Sequence, residues 1–180
     1  MLIRRGAAQA LIASAVAATL GLRPMQPTRW VKIGMDLSLA GADSEGAIRV
    51  RNGIMMAIDG ANEGNGIPGY RIETLVLDDG TATAGQYDPA QAATNARKMV
   101  SDKDVMAALG PEMSGAGKAM APILSAGGLA TITPSSTNPD ITDPKFAQQF
   151  RPSGKSIYVR TVTTDAYQGP NMANYYADVL

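Results

Sequence analysis

Apolar positions along the chain switch repeatedly between a period of two and a period of three to four. Val31-Lys32-Ile33-Gly34-Met35-Asp36-Leu37 reads as a strand, followed by the small-residue loop Ser38 to Gly46. From about Ala47 to Asn62 the residues Val50, Ile54, Ala57, Ile58 and Ala61 recur on one helical face, which predicts a helix packed on a sheet. Gly64-Asn65-Gly66-Ile67-Pro68-Gly69 turns the chain into a second strand, Arg71 to Leu77, ending at Asp78-Asp79-Gly80. Asp88-Pro89 has the form of an N-cap with proline at the first helical position, and Ala92, Ala93, Ala96, Met99 and Val100 form the apolar face behind it. A third strand, Val105 to Leu109, leads into a helix from about Ser114 to Ser125, in which Pro122 stands late enough to kink rather than abolish it. Leu129 to Ile132 is a fourth strand, Phe146 to Lys155 an irregular excursion, and Ile157 to Thr161 a fifth strand. Gly169-Pro170 opens a last helix. Strands alternating with helices predict an α/β fold, a doubly wound parallel five-stranded sheet with helices on both faces.

Two of the strand ends spill into residues suited to a ligand. Leu109 is followed by Gly110-Pro111-Glu112-Met113-Ser114-Gly115-Ala116-Gly117, and Ile132 by Thr133-Pro134-Ser135-Ser136-Thr137-Asn138-Pro139. Open parallel sheets bind small polar ligands in the crevice beyond the carboxyl ends of their strands. Ser114, where a helix begins, can turn its hydroxyl and the free N–H groups behind it toward a carboxylate, aided by the helix dipole. The plainer reading of Ser114 is a cap for its own helix. Thr137 adds a second hydroxyl and the Ser135 carbonyl an acceptor, which together suit a ligand bearing both carboxylate and ammonium. A few charge-assisted hydrogen bonds, each worth roughly 1.5 to 3 kcal/mol, support binding near micromolar without any reaction.

Composition narrows the alternatives. Within 180 residues, sixteen basic side chains balance sixteen acidic ones, and there is neither a basic cluster nor an acidic tail for nucleic acid or another charged polymer. Cysteine and histidine are both absent, which removes disulfides, Cys/His zinc sites, thiol nucleophiles and histidine-based triads. No metal or cofactor is expected. Met1 to about Met25 opens on Arg4-Arg5 and continues with an uncharged run from Ala7 to Leu22, the pattern of a secretory leader. With the leader removed, no further membrane insertion is expected, and a lipid anchor on cysteine is excluded.

The remaining motifs fail on context. Gly64, Gly66 and Gly69 match a dinucleotide fingerprint but follow a helix and precede a strand, the reverse of the arrangement a pyrophosphate needs. The phosphate-loop spacing fails because Ala116 follows Gly115, and the G-x-S-x-G elbow fails because Glu112 and Ala116 flank Ser114. Asp78-Asp79 reads as a solvated terminus of an edge strand rather than a metal or phospho-acceptor pair. The ten methionines, Met55-Met56 among them, read as core filling.

Gly53 and Ala57-Ile58 ahead of Asn62, the Asp78-Asp79 strand end, Gly110-Pro111-x2-Ser114, Thr133 to Pro139, and Arg160-Thr161-x3-Asp165-x2-Gln168-Gly169-Pro170 form an ordered set. From Val31 to Leu180 that set resembles the branched-chain amino-acid binding proteins of ABC transporters, which are type I periplasmic binding proteins. The resemblance implies residues 31–180 as the N-terminal lobe only, the second lobe being absent, and residues 1–25 as a signal peptide. It implies a ligand site at Ser114 and Thr137 for the carboxylate, with Ser135 and Ser136 in the same hydroxyl turn, Ser135 through its backbone. Asp165 falls near the crevice and the strands between lobes. It further implies a small amino acid as ligand, a membrane permease as partner, a periplasmic location and no catalysis. The loop Ala40 to Arg51 departs from the family by lacking its frequent tyrosine. An amide, urea or other small-solute sensor on the same fold, a truncated fragment, and a hydrolase or nucleotide enzyme are the other readings.

Overall fold

The computed structural model describes residues 28–179; the expected leader and its cleavage site lie outside them. Five parallel strands, β1 (Arg29–Leu37), β2 (Tyr70–Asp78), β3 (Val105–Leu109), β4 (Thr131–Thr133) and β5 (Tyr158–Arg160), form one sheet in the order β2-β1-β3-β4-β5. The chain goes from β1 to β2 on one side and returns to β3 on the other. The loops after β1 and β3 therefore diverge, and a crevice opens between them. Register aligns the strand ends along this crevice, with Leu37 opposite Asp78, Met35 opposite Leu109, Leu109 opposite Ile132 and Thr133 opposite Arg160.

Helix α1 (Ser44–Glu63) lies on one face of the sheet, and α2 (Pro89–Ser101) and α3 (Ser114–Gly127) on the other. Asp88 caps α2 as the sequence predicts, accepting from the N–H groups of Ala90 at 2.8 Å and Gln91 at 3.4 Å. The main core lies under α2 and α3, with Ala92, Ala96, Met99, Ala116, Met120 and Leu124 against Leu77, Val105 and Ala108. Gly34 admits Met99 to the sheet, since a Cβ there would lie 2.8 Å from its sulfur. Met35, Met99 and Met120 are fully buried, each contributing about 1.5–3 kcal/mol of burial. Met56, in contrast, is 75% exposed and fills no core.

The α1 face is covered over β1 and β2 but open toward β5. Val50 and Ile54 of α1, with Leu109, Gly110, Ile132, Pro134 and Thr161, line a cleft of about 140 Å³, and Ile132 and Val159 are exposed.

Three boundaries differ from the sequence reading. The excursion after β4 is not irregular throughout, because prolines start two short 3₁₀ turns, Pro139–Ile141 and Pro144–Phe146, capped by Asn138 and Asp143. A short helix α4 (Ala147–Phe150) follows and puts Phe150 into a second core with Ala121, Ile141 and Tyr158. The last helix, α5 (Asp165–Val179), starts at Asp165 rather than Gly169, so Pro170 lies inside its second turn. Helix α1 likewise begins at Ser44, inside what the sequence suggests is loop.

Candidate ligand-binding site

The turns after β3 and β4 are locked together by a run of hydroxyl-to-carbonyl bonds. Thr131 donates to the carbonyl of Gly110 at 2.7 Å, Thr133 to that of Pro111 at 2.5 Å, and Ser135 to that of Glu112 at 3.1 Å. The Thr133 hydroxyl oxygen also accepts from the N–H of Ser136 at 3.0 Å, which closes the second turn on itself. Much of the hydroxyl richness in this stretch thus binds protein backbone. The side chains cost little to hold there, because each replaces a water on a carbonyl that burial would leave unpaired.

Ser114 is the first residue of α3, and Met113 before it caps the helix with no side-chain bond. The plainer reading, Ser114 as its own helix cap, therefore does not hold. Its oxygen instead accepts from the N–H of Asn138 at 3.2 Å, across to the neighbouring turn. A hydroxyl that accepts one bond still has its own proton to donate. The first intrahelical bond of α3 runs from the N–H of Gly117 to the carbonyl of Met113 at 2.9 Å, so the N–H groups of Ser114, Gly115 and Ala116 precede the ladder and point out of the helix end. Together they form an anion-accepting corner beside the β4 turn.

Thr137 is half-buried, and its hydroxyl takes part in none of the hydrogen bonds among the described residues. Its carbonyl accepts from the N–H of Asp165 at 3.0 Å. That bond brings Asp165, exposed at the start of α5, next to Thr137. Ser135 is exposed at the turn, its hydroxyl spent on Glu112 and its carbonyl accepting no hydrogen bond among the described residues. Ser136 requires a correction. Its side chain is fully buried and faces inward, where a Cβ on Gly117 would come within 2.9 Å of its oxygen and 2.5 Å of the Tyr158 hydroxyl. Alternation along the turn sends Ser135 outward and Ser136 into the core, so Ser136 cannot touch a ligand in the crevice with its hydroxyl.

Three further residues shape the site without standing out in the sequence. Arg160, at the end of β5, donates from Nε to the carbonyl of Ser136 at 2.7 Å, from one amino group to the Thr142 hydroxyl at 2.7 Å and from the other to the carbonyl of Asn138 at 2.5 Å. One guanidinium thereby fixes both ends of the Ser136–Asn138 segment, and burial lowers its pKa. Tyr87 packs its ring on Gly115, where a Cβ would lie 2.7 Å from both the ring and the hydroxyl. Glu112, in the turn itself, is 8% exposed, and its Oε2 has no hydrogen-bond partner among the described residues.

The Asp78-Asp79 reading is also corrected. β2 does lie at the sheet edge, but Asp79 is fully buried, accepting from the Ser38 hydroxyl at 2.7 Å, while Asp78 accepts from the N–H groups of Leu39 and Gly80, both at 2.8 Å. Among the described residues, no group of three or more His, Cys, Asp or Glu is arranged to hold a metal ion. No helix among them is long and apolar enough to cross a membrane.

Parallel order, a switch point between β1 and β3 and two coupled turns beyond it are the geometry at hand, and comparison with known proteins decides the family. A family model described as periplasmic binding protein matches residues 30–177. The chain belongs to the periplasmic binding protein family. As a periplasmic binding protein it is 29% identical over 148 residues to the leucine-, isoleucine-, valine-, threonine- and alanine-binding protein of Pseudomonas aeruginosa, covering 82% of this chain and 35% of that protein. It is 30% identical over 150 residues to the substrate-binding protein BasB of a chemotactic signal transduction system in Halobacterium salinarum, covering 82% of this chain and 34% of that one. The crystal structure of LivJ, the branched-chain amino-acid transporter substrate-binding protein of Streptococcus pneumoniae in complex with isoleucine, superposes with a TM-score of 0.68 at 25% identity, covering 84% of this chain and 39% of LivJ. The chain therefore spans about a third of the length of the curated relatives it matches. The type I periplasmic-binding-protein sheet expected from the sequence is the sheet observed.

Proposed function

We propose that this chain is the N-terminal lobe of the solute-binding component of an ABC importer, and that it holds a small amino acid by hydrogen bonding alone. The observation that carries the reading is the bond from the Asn138 N–H to the Ser114 oxygen. It joins the free end of α3 directly to the turn that carries Thr137. A ligand carboxylate would take the Ser114 hydroxyl and the α3 N–H groups, and the Thr137 hydroxyl would meet it from the other turn. The exposed Ser135 carbonyl would accept from the ammonium. Asp165 would lie where the ligand and a further lobe meet. Relatives whose names record leucine, isoleucine and valine as ligands support an amino acid, and the family supports a permease as the transport partner and a periplasmic setting.

Titration calorimetry with a panel of amino acids, on this chain and on a form extended by a second lobe, tests the proposal. Ser114→Ala and Thr137→Val are each expected to weaken binding about 10- to 100-fold, the loss of one charge-assisted hydrogen bond. Ser114→Ala that binds every amino acid like the parent would remove the anion corner from the site.

A further inference from the structure

Glu112 stands two residues before Ser114, in the loop that borders the switch point between β1 and β3. Its backbone belongs to the locked turn, through the Ser135 hydroxyl on its carbonyl at 3.1 Å. Its side chain is more than nine-tenths buried, and Oε2 is without a partner among the described residues. Oε1 lies toward the first turn of α1, 3.9 Å from where a Cβ on Gly46 would stand. Gly46 is exposed and carries no side chain, so no side chain at that position stands over the oxygen.

The surroundings of Glu112 are negative from two more loops. Asp43, before α1, and Asp79, after β2, each present a buried carboxylate oxygen without a partner. Burial first, and then the charges of Asp79 and Asp43, push the Glu112 carboxyl up. The ion pairs among the described residues, Lys32 with Asp102 and Asp104, Arg49 with Glu45, and Lys118 with Asp140, involve none of these three acids. A carboxylate taken out of water this far is costly unless a cation meets it or it takes up a proton. No set of three acidic side chains here is arranged for a metal ion. The loop Ala40 to Arg51, which borders the same space, also lacks an aromatic residue that could floor an apolar pocket.

We infer that Glu112 is the group of this lobe that recognises positive charge on the ligand, accepting an ammonium or guanidinium at the switch point. The inference rests on the reading above, in which the α3 end and the Thr137 turn hold the carboxylate. The cation has two sources in an amino acid, the α-ammonium or a basic side chain, and the shared chemistry is an N–H⁺ donor reaching Oε1 past Gly46.

Calorimetry of the chain with L-leucine, L-lysine and L-arginine, for the parent and for Glu112→Gln, tests it. If the side chain is the source, Glu112→Gln lowers lysine and arginine affinity about tenfold or more and leaves leucine unchanged. If the α-ammonium is the source, all three fall in parallel. Removing a buried unpartnered charge should not lower thermal stability, and Glu112→Leu serves as a second variant with the same expectation. Unchanged affinity for all three ligands in a Glu112 variant, while Ser114→Ala still loses binding, overturns the role of Glu112 and leaves the anion corner standing. Unchanged affinity in both variants, or no binding by the parent, overturns the crevice reading itself.

Discussion

Replacing Gly110 with alanine is expected to cost at least about 3 kcal/mol of stability and to dismantle the turn that presents Ser114. Gly110 has φ of 97°, a region that a side chain makes strained, and a Cβ there would stand 2.1 Å from the carbonyl oxygen of Asp36. The neighbour is backbone, so it has no rotamer with which to give way. Nor can Gly110 move aside, because its N–H donates to the carbonyl of Ile132 at 2.9 Å and its carbonyl accepts from Thr131. Gly128 provides the comparison, with φ of 70° at the C-cap of α3 and nothing within 4 Å of an added Cβ. Gly128→Ala should therefore cost only about 1 kcal/mol, the strain without the clash. Urea midpoints of the two variants separate the effects, and equal losses would mean that the close approach of β1 to Gly110 is not rigid.

Stability of the chain is expected to fall as pH rises from about 4 toward 8, and Asp36 is the cause. Asp36 is fully buried at the end of β1, where its Oδ1 accepts from Asn95 at 2.6 Å and Oδ2 has no conventional partner. Burial foremost, and then the charge of Asp79, push its carboxyl up to about 8. Asp79, raised chiefly by its own burial, stands within hydrogen-bond reach of it with Oδ2 likewise free. A proton retained on Asp36 can be donated to Asp79. The folded state keeps this proton at pH values where an unfolded aspartate has lost it. The stabilisation is complete below pH 4, declines by on the order of 1 kcal/mol per pH unit above it, and is gone once pH passes about 8. Asp36→Asn carries an N–H₂ in place of the acid proton and still accepts from Asn95. It should flatten the pH profile between 5 and 9 and raise the unfolding midpoint at pH 8–9 by several degrees. A wild-type profile as flat as that of the variant would show that the two carboxyls do not share a proton.

The alternation of strand and helix was legible because it needs only local spacing and caps: Asp88-Pro89 starts α2, and the apolar face Ala92, Ala96, Met99 is the face found in the core. The parallel sheet followed from that alternation. The pairing of the two hydroxyl turns was legible too, since each follows a strand and adjacent parallel strands bring their ends together. What could not be read was the use of each hydroxyl. Ser135 and Ser136 look alike in sequence, yet one bonds Glu112 and the other is buried against Gly117, because the difference depends on which way the turn rotates about Thr133. Asp36, Asp79 and Glu112 likewise come from three strand ends, and their meeting is a consequence of strand order β2-β1-β3 that no window along the chain contains. Strand alternation groups Asp36 with Lys32 and Gly34, opposite the apolar Val31, Ile33, Met35 and Leu37, so the local pattern gives no sign that Asp36 is buried. Arg160 was visible only as part of a motif; its grip on the carbonyls of Ser136 and Asn138 joins β5 to the β4 turn across the sheet.

The claim that two neighbouring turns grip one ligand is tested most directly by following backbone amide signals in a nitrogen-15 correlation spectrum while an amino acid that binds is titrated in. The amides of Ser114, Gly115 and Ala116 and that of Thr137 should shift together along one binding curve, and Ser114→Ala should move that curve for all of them. Binding that shifts the α3 amides and leaves Thr137 still, or shifts neither set, would contradict the account.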